Sequence, residues 1–98
     1  MRIRYTPRAQ ADLDEIFRYL DERSPAGARA VKLRIVRSIE RLAHHPYMPA
    51  ETDEPGVREL AIVRYPYKVY CMIEGDEVWV LHIRHTSRRP WTDETASE

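Results

Sequence analysis

The sequence predicts an α+β domain in the order β-α-α-β-β-β, with a helical hairpin packed on one face of a mainly antiparallel four-stranded sheet. Three observations carry that expectation. Two apolar stripes of helical period are each opened by a hydroxyl residue followed by proline, and only a few residues separate them. The second half of the chain alternates apolar and polar residues between turn signals at Arg64-Tyr65-Pro66 and Gly75-Asp76. A short alternating stretch, Arg2-Ile3-Arg4-Tyr5, precedes the first helix.

Taken in order, Arg2 to Tyr5 reads as a strand that stops at Thr6-Pro7, where Thr6 is the N-cap and Pro7 opens a helix. Ala9, Leu13, Ile16, Phe17 and Leu20 then recur at helical spacing, and the helix is expected to run to Asp21 or Glu22. Ser24-Pro25 repeats the start signal, so two antiparallel helices follow one another closely. Ala28, Val31, Ile35, Ile39 and Leu42 mark the second buried stripe, which ends near His44-His45 because Pro46 forbids continuation. The proline-punctuated, acidic stretch from His45 to Gly56 is expected to have no regular structure. Strands are expected at about 57–63, 67–73 and 78–86, the last two joined by a two-residue turn at Gly75-Asp76. In the last strand, Trp79, Leu81 and Ile83 form an apolar row expected to face the helices, leaving Val78, Val80, His82 and Arg84 outward. Residues 1–91 are read as one domain and 92–98 as a mobile acidic tail.

Composition narrows the function classes. The chain has 16 basic and 16 acidic residues, so net charge alone gives no reason to coat nucleic acid. Cys71 is the single cysteine, which excludes an internal disulfide, and the histidines have no metal-ligand spacing, so neither metal nor cofactor is expected. No apolar run is long enough to span a bilayer and no signal-peptide core precedes the domain, which together predict a cytoplasmic protein. Arginines and Lys32 along the second helix (Arg29, Arg34, Arg37, Arg41) are spread around it rather than along one line and read as a solvated face paired with the acidic first helix. Arg58 and Arg64 have the chemistry to grip phosphate but read first as partners in cross-strand ion pairs with neighbours such as Glu59 or Glu74.

The chemistry-bearing residues gather late in the chain, at Arg64, His82, Arg84, His85, Arg88, Arg89 and Trp91. Histidine titrates near neutrality and arginine clamps phosphate, so this set suits either phosphoryl chemistry or recognition of a partner. An apolar groove is expected to stay uncovered because the helices lie on one side of the sheet only. Tyr5, Leu13, Phe17, Leu20, Tyr70 and Met72 are the residues expected to receive a partner segment that folds as it binds.

The segments Tyr5-Thr6-Pro7-Arg8-Ala9, Val57-Arg58-Glu59-Leu60, Tyr65-Pro66-Tyr67-Lys68-Val69-Tyr70 and Ile83-Arg84-His85-Thr86-Ser87-Arg88, in this order, resemble the RelE/ParE superfamily of type II toxin–antitoxin toxins. The resemblance covers residues 1–91 and implies a small toxin, in hetero-oligomeric complex with a cognate antitoxin. In the RelE branch it implies a ribosome-dependent mRNA endonuclease, for which His82, Arg84, His85, Arg64 and Arg88 would be the catalytic set. In the ParE branch it implies a non-enzymatic inhibitor of DNA gyrase, with Arg88, Arg89 and Trp91 in the surface offered to the target. RNA cleavage through the 2′-hydroxyl needs a base, an acid and cations around the phosphorane. The RelE-type nucleases draw these from strand lysines and arginines and a tyrosine near the C-terminus. Here Lys68 is the one lysine in the expected strands, Thr86 follows His85, and no tyrosine occurs after Tyr70. The ParE branch is therefore expected; the endonuclease, and a non-toxic component that only binds an antitoxin, are the alternatives.

Overall fold

In the computed structural model, which describes residues 1–86, the elements are β1 (Arg2–Tyr5), α1 (Pro7–Arg23), α2 (Pro25–Glu40), a 3-10 turn (Arg41–Ala43), β2 (Ala50–Glu51), β3 (Arg58–Ala61), β4 (Tyr67–Glu74) and β5 (Glu77–His85). Arg88, Arg89, Trp91 and the acidic segment 92–98 lie outside the described residues. Both caps form as the sequence dictates. The Thr6 hydroxyl accepts from Ala9 N at 3.0 Å, and the Ser24 hydroxyl accepts from Gly27 N at 3.3 Å. Ser24 also ends α1, because its own N–H donates to Leu20 O. One residue thus closes one helix and opens the next, which folds the hairpin back on itself.

The sheet has five strands in the order β1-β5-β4-β3-β2, one more than the four expected. The additional strand is the two-residue β2, inside the stretch expected to be irregular, and it pairs Ala50 with Glu59 and Glu51 with Arg58. A segment so short has no alternation to read. Thr52 makes it possible: its hydroxyl donates to Val57 O at 2.9 Å and accepts from Glu54 N at 3.1 Å, while Gly56 takes a positive φ of 82°. Arg58 donates to Pro49 O at 2.7 Å and Tyr47 O at 3.2 Å and pairs with Glu51 at 3.3 Å. Its ion pair is thus with Glu51, not with Glu59 or Glu74, because β2 supplies the neighbour. β1 runs parallel to β5; the other pairings are antiparallel.

The helices cover one face of this sheet. Ala9, Leu13 and Ile16 of α1 and Ile35 and Ile39 of α2 meet Tyr67, Val69, Val80 and Ile83 in one buried cluster; Leu42, Cys71 and Val78 form a second. Truncating a side chain as enclosed as Ile35 or Ile39 to alanine costs about 2–5 kcal/mol through lost burial and a residual cavity.

The expected facing of β5 is reversed over part of its length. Val78 and Val80 are the fully buried residues, and Trp79 faces away from the helices. The cause is a bulge: Tyr70 pairs with His82 and Cys71 with Val80, leaving Leu81 without an opposite number. Ile83 consequently returns to the helix side with Val78 and Val80, while His82 and Arg84 stay outward as expected. β1 pairs with β5 only as far as Val80. Beyond it the exposed strand edge is closed by α1, where the Thr6 hydroxyl donates to Leu81 O at 2.7 Å and the Asp12 carboxylate accepts from Ile83 N at 3.0 Å.

Candidate functional site

The sheet face away from the helices presents a row of paired side chains: Arg4 beside Trp79, Met72 beside Trp79, Tyr70 beside His82 and Lys68 beside Arg84. β1, β4 and β5 supply them because the pleat sends alternate residues outward, and the bulge at Leu81 keeps His82 and Arg84 on the same side as Trp79. Two ion-pair groups organise it. Glu77 accepts from Arg4 at 2.9 Å, from Arg2 at 3.3 Å and from Trp79 Nε1 at 3.2 Å. The hydrogen bond from Arg4 is the main reason its carboxyl is held below the usual carboxylate range. Lys68 pairs with Glu59 at 3.2 Å.

His82 lies flat against Tyr70, with ring centroids 4.4 Å apart and planes 13° apart. Its Nδ1 is enclosed and meets no protein partner among the described residues. Burial, then the positive field of Arg8, pushes its pKa down from 6.5, so the ring is a neutral plane at physiological pH. Beside it opens a cleft of about 700 Å³ walled by Leu81, His82 and Arg84 on one side and by Thr52, Asp53 and Glu54 on the other. Arg8, from the first turn of α1, reaches its rim. The cleft therefore offers an aromatic floor between an acidic and a basic wall, which suits a polar peptide segment carrying both charges.

The structure divides the residues that the sequence placed in one catalytic set. His82 and Arg84 share the open face. His85 is on the helix side, edge-on to Tyr67 at 5.0 Å and 83°. Arg64 is exposed in the turn between β3 and β4, at a φ of 79°. Arg88, like Arg89 and Trp91, lies outside the described residues. The candidate partner-binding residues also divide. Tyr70 and Met72 are on the open face, whereas Leu13 is buried in the core and Tyr5, Phe17 and Leu20 pack against it. Burial, and then Glu40, pushes the Tyr5 phenol up.

Sequence reasoning passed over Arg8, Thr52, Trp79 and the Tyr70–His82 stack. Only the last had a readable signal, since pairing from the Gly75-Asp76 turn brings Tyr70 near His82; the others depend on β2 and the bulge.

Residues 3–90 match the family model described as the ParE toxin of the type II toxin-antitoxin system parDE. The chain belongs to the ParE toxin family. Among curated relatives, Y4kP of Sinorhizobium fredii is 33% identical over 88 residues, covering 90% of this chain and 91% of that protein. Toxin RelE2 of Caulobacter vibrioides is 32% identical over 84 residues, covering 86% and 93%. Among solved structures, a chain of the chromosomal ParDE system of P. aeruginosa superposes with a TM-score of 0.76 at 27% identity, covering 87% of this chain and 95% of that one. The chain is thus a ParE-family toxin of a type II toxin–antitoxin system, and the α+β, RelE/ParE-like fold read from the sequence stands, with one additional short strand. Among the described residues, no helix is long and apolar enough to cross a membrane.

Proposed function

We propose that this ParE-family toxin acts in the cytoplasm by binding and inhibiting DNA gyrase, and that a cognate antitoxin holds it inactive. The family match over residues 3–90 carries the reading. The open face supports a binding role over a catalytic one. Its lysine is tied to Glu59, and the histidine on it is stacked on Tyr70 with Nδ1 enclosed. Among the described residues no group holds Nδ1 to fix the ring's tautomer, and burial disfavours the protonated ring that general acid–base work passes through. The antitoxin is read as a segment that orders across Tyr70, Met72 and the cleft beside His82, with Phe17 and Leu20 as contacts on the hairpin side. Arg88, Arg89 and Trp91 are read as the contact with gyrase.

One observation favours the mRNA endonuclease as a second reading: His82 and Arg84 stand on the open face with Lys68 directly opposite Arg84. Purified chain added to gyrase and relaxed plasmid separates the two. Loss of supercoiling with accumulation of cleaved DNA supports gyrase inhibition. Unimpaired supercoiling, together with cutting of ribosome-bound mRNA in a translation extract, would overturn it.

A further inference from the structure

A second charged surface lies on the helix side of the molecule, away from the open sheet face. Arg34, Arg37 and Arg41 line one cleft of about 460 Å³ together with Ala30, Leu33 and Tyr65. The sequence suggested that the basic residues of α2 are spread around the helix and neutralised by α1. Lys32 does pair with Asp21, at 2.7 Å. The three arginines do not follow it: their spacing of three and four residues sets them along one stripe, and no carboxylate lines their cleft. Among the described residues none of them forms an ion pair; Arg41 has only a 3.8 Å hydrogen bond to the Met48 sulfur. Glu40, the nearest acid in sequence, sits on the flank that faces Tyr5.

We propose that this stripe is a docking surface for the phosphodiester backbone of duplex DNA. At about 1.5 Å rise per residue, Arg34 to Arg41 spans about 10 Å. One DNA strand advances about 3.4 Å along the duplex axis per phosphate, so the stripe overlies about three phosphate steps, one for each guanidinium. Unpaired guanidiniums are the donors for such a contact, since each offers several N–H groups in one plane and need not first leave a carboxylate. A single-stranded nucleic acid fits less well, because it is held largely by bases stacked on exposed aromatics. Tyr65 is the one aromatic residue in the cleft, and it packs against the core. An equal count of 16 acids and 16 bases leaves no overall attraction to DNA, so binding has to come from a local segregation of this kind. The proposal stands on α2 and is independent of whether gyrase is the target. Three phosphate contacts alone give weak, sequence-independent binding that becomes effective when a partner already holds the duplex.

The test is fluorescence anisotropy of a labelled 20-base-pair duplex titrated with the full chain at several salt concentrations. Three neutralised phosphates predict a slope of about −2.7 in log K against log salt, or about 40-fold weaker binding between 50 and 200 mM salt. Arg34→Ala/Arg37→Ala/Arg41→Ala should flatten the slope to near zero with the circular dichroism spectrum unchanged, and the corresponding triple lysine variant should retain it. Arg29→Ala, which removes one charge from the same helix outside this cleft, should leave the slope within about 0.5 of the parent. No duplex binding at low salt, an unchanged slope in the triple alanine variant, or tighter binding to single-stranded RNA of equal length would each overturn the proposal.

Discussion

Replacing Asp12 by alanine tests whether α1 holds the strand that carries the open-face residues. Asp12 Oδ2 accepts from Ile83 N at 3.0 Å across 71 positions of sequence and stands 4.0 Å from Arg8 Nε; its side chain is 23% exposed. The backbone N–H of Ile83 lies past the end of β1, so no strand can take over as acceptor. Leaving a largely buried N–H unpaired costs about 1–3 kcal/mol. The Arg8 contact is long and exposed and adds less than about 1 kcal/mol. The expected loss is therefore about 2 kcal/mol, which for a domain of this size lowers the melting temperature by about 8–16 °C. Differential scanning calorimetry of the purified chain measures it. Asp12→Asn is the control: the amide oxygen can accept the same bond, so its loss should be less than half as large. If alanine shifts the midpoint by less than about 2 °C, or if asparagine is as damaging as alanine, the reasoning that α1 caps the β5 edge is wrong.

Other expectations follow from the same contacts. Trp79→Ala and Met72→Glu, on the open face, should weaken antitoxin binding at least tenfold by calorimetry with little change in melting temperature; unchanged affinity would move the antitoxin off this face. Burial depresses the His82 pKa, so its contribution to stability is fully present above about pH 6.5 and is lost as pH falls through the lower folded-state value. His82→Gln should remove that step from a stability–pH profile, while a separate loss below pH 4.5, where Glu77 is held ionised by Arg4 and Arg2, should remain. Burial pushes the Cys71 thiol up, so alkylation by iodoacetamide at pH 8 should proceed only as fast as the protein opens, and rapid labelling of native protein would contradict its position in the core. Arg64 occupies a left-handed conformation that costs a non-glycine residue about 1 kcal/mol, and Arg64→Gly should therefore be neutral or slightly stabilising in urea unfolding.

The elements legible in the sequence are those whose determinants are local. Thr6-Pro7 and Ser24-Pro25 state where both helices begin, and the apolar stripes behind them state which face is buried; the structure places those starts at Pro7 and Pro25. Strand facing was legible only while the pleat was uninterrupted. A single bulged residue, Leu81, exchanges the two rows of β5, and nothing in Val78-Trp79-Val80-Leu81-His82 marks it, because every residue there except histidine is apolar. The bulge is instead required from a distance, by Thr6 and Asp12 taking the backbone groups of Leu81 and Ile83. His82 and His85 lie beyond the bulge, and there the plain pleat decides: three positions apart on a regular strand, they stand on opposite faces although the sequence groups them in one site. The second wall of the cleft was equally hidden, since it is built by Thr52 and Gly56 ordering a loop rather than by any periodic pattern.

The two surfaces differ in what neutralises their charges, and that difference assigns them different partners. On the open face the guanidiniums of Arg2 and Arg4 and the Lys68 ammonium already have carboxylates, in Glu77 and Glu59. Against those paired charges a partner gains little by bringing its own, since displacing an exposed ion pair returns at most about 1 kcal/mol; its charges count at Arg84 and at the acids across the cleft. It gains by covering Trp79, Met72 and Tyr70, about 25 cal/mol for each square ångström of apolar surface. That is the economy of a protein segment folding onto a sheet. In the α2 cleft Arg34, Arg37 and Arg41 have no carboxylates, so a polyanion gains most there. A toxin bound through its sheet can therefore keep its arginine stripe free, and one chain can be held by a protein on one side while it rests on phosphates with the other.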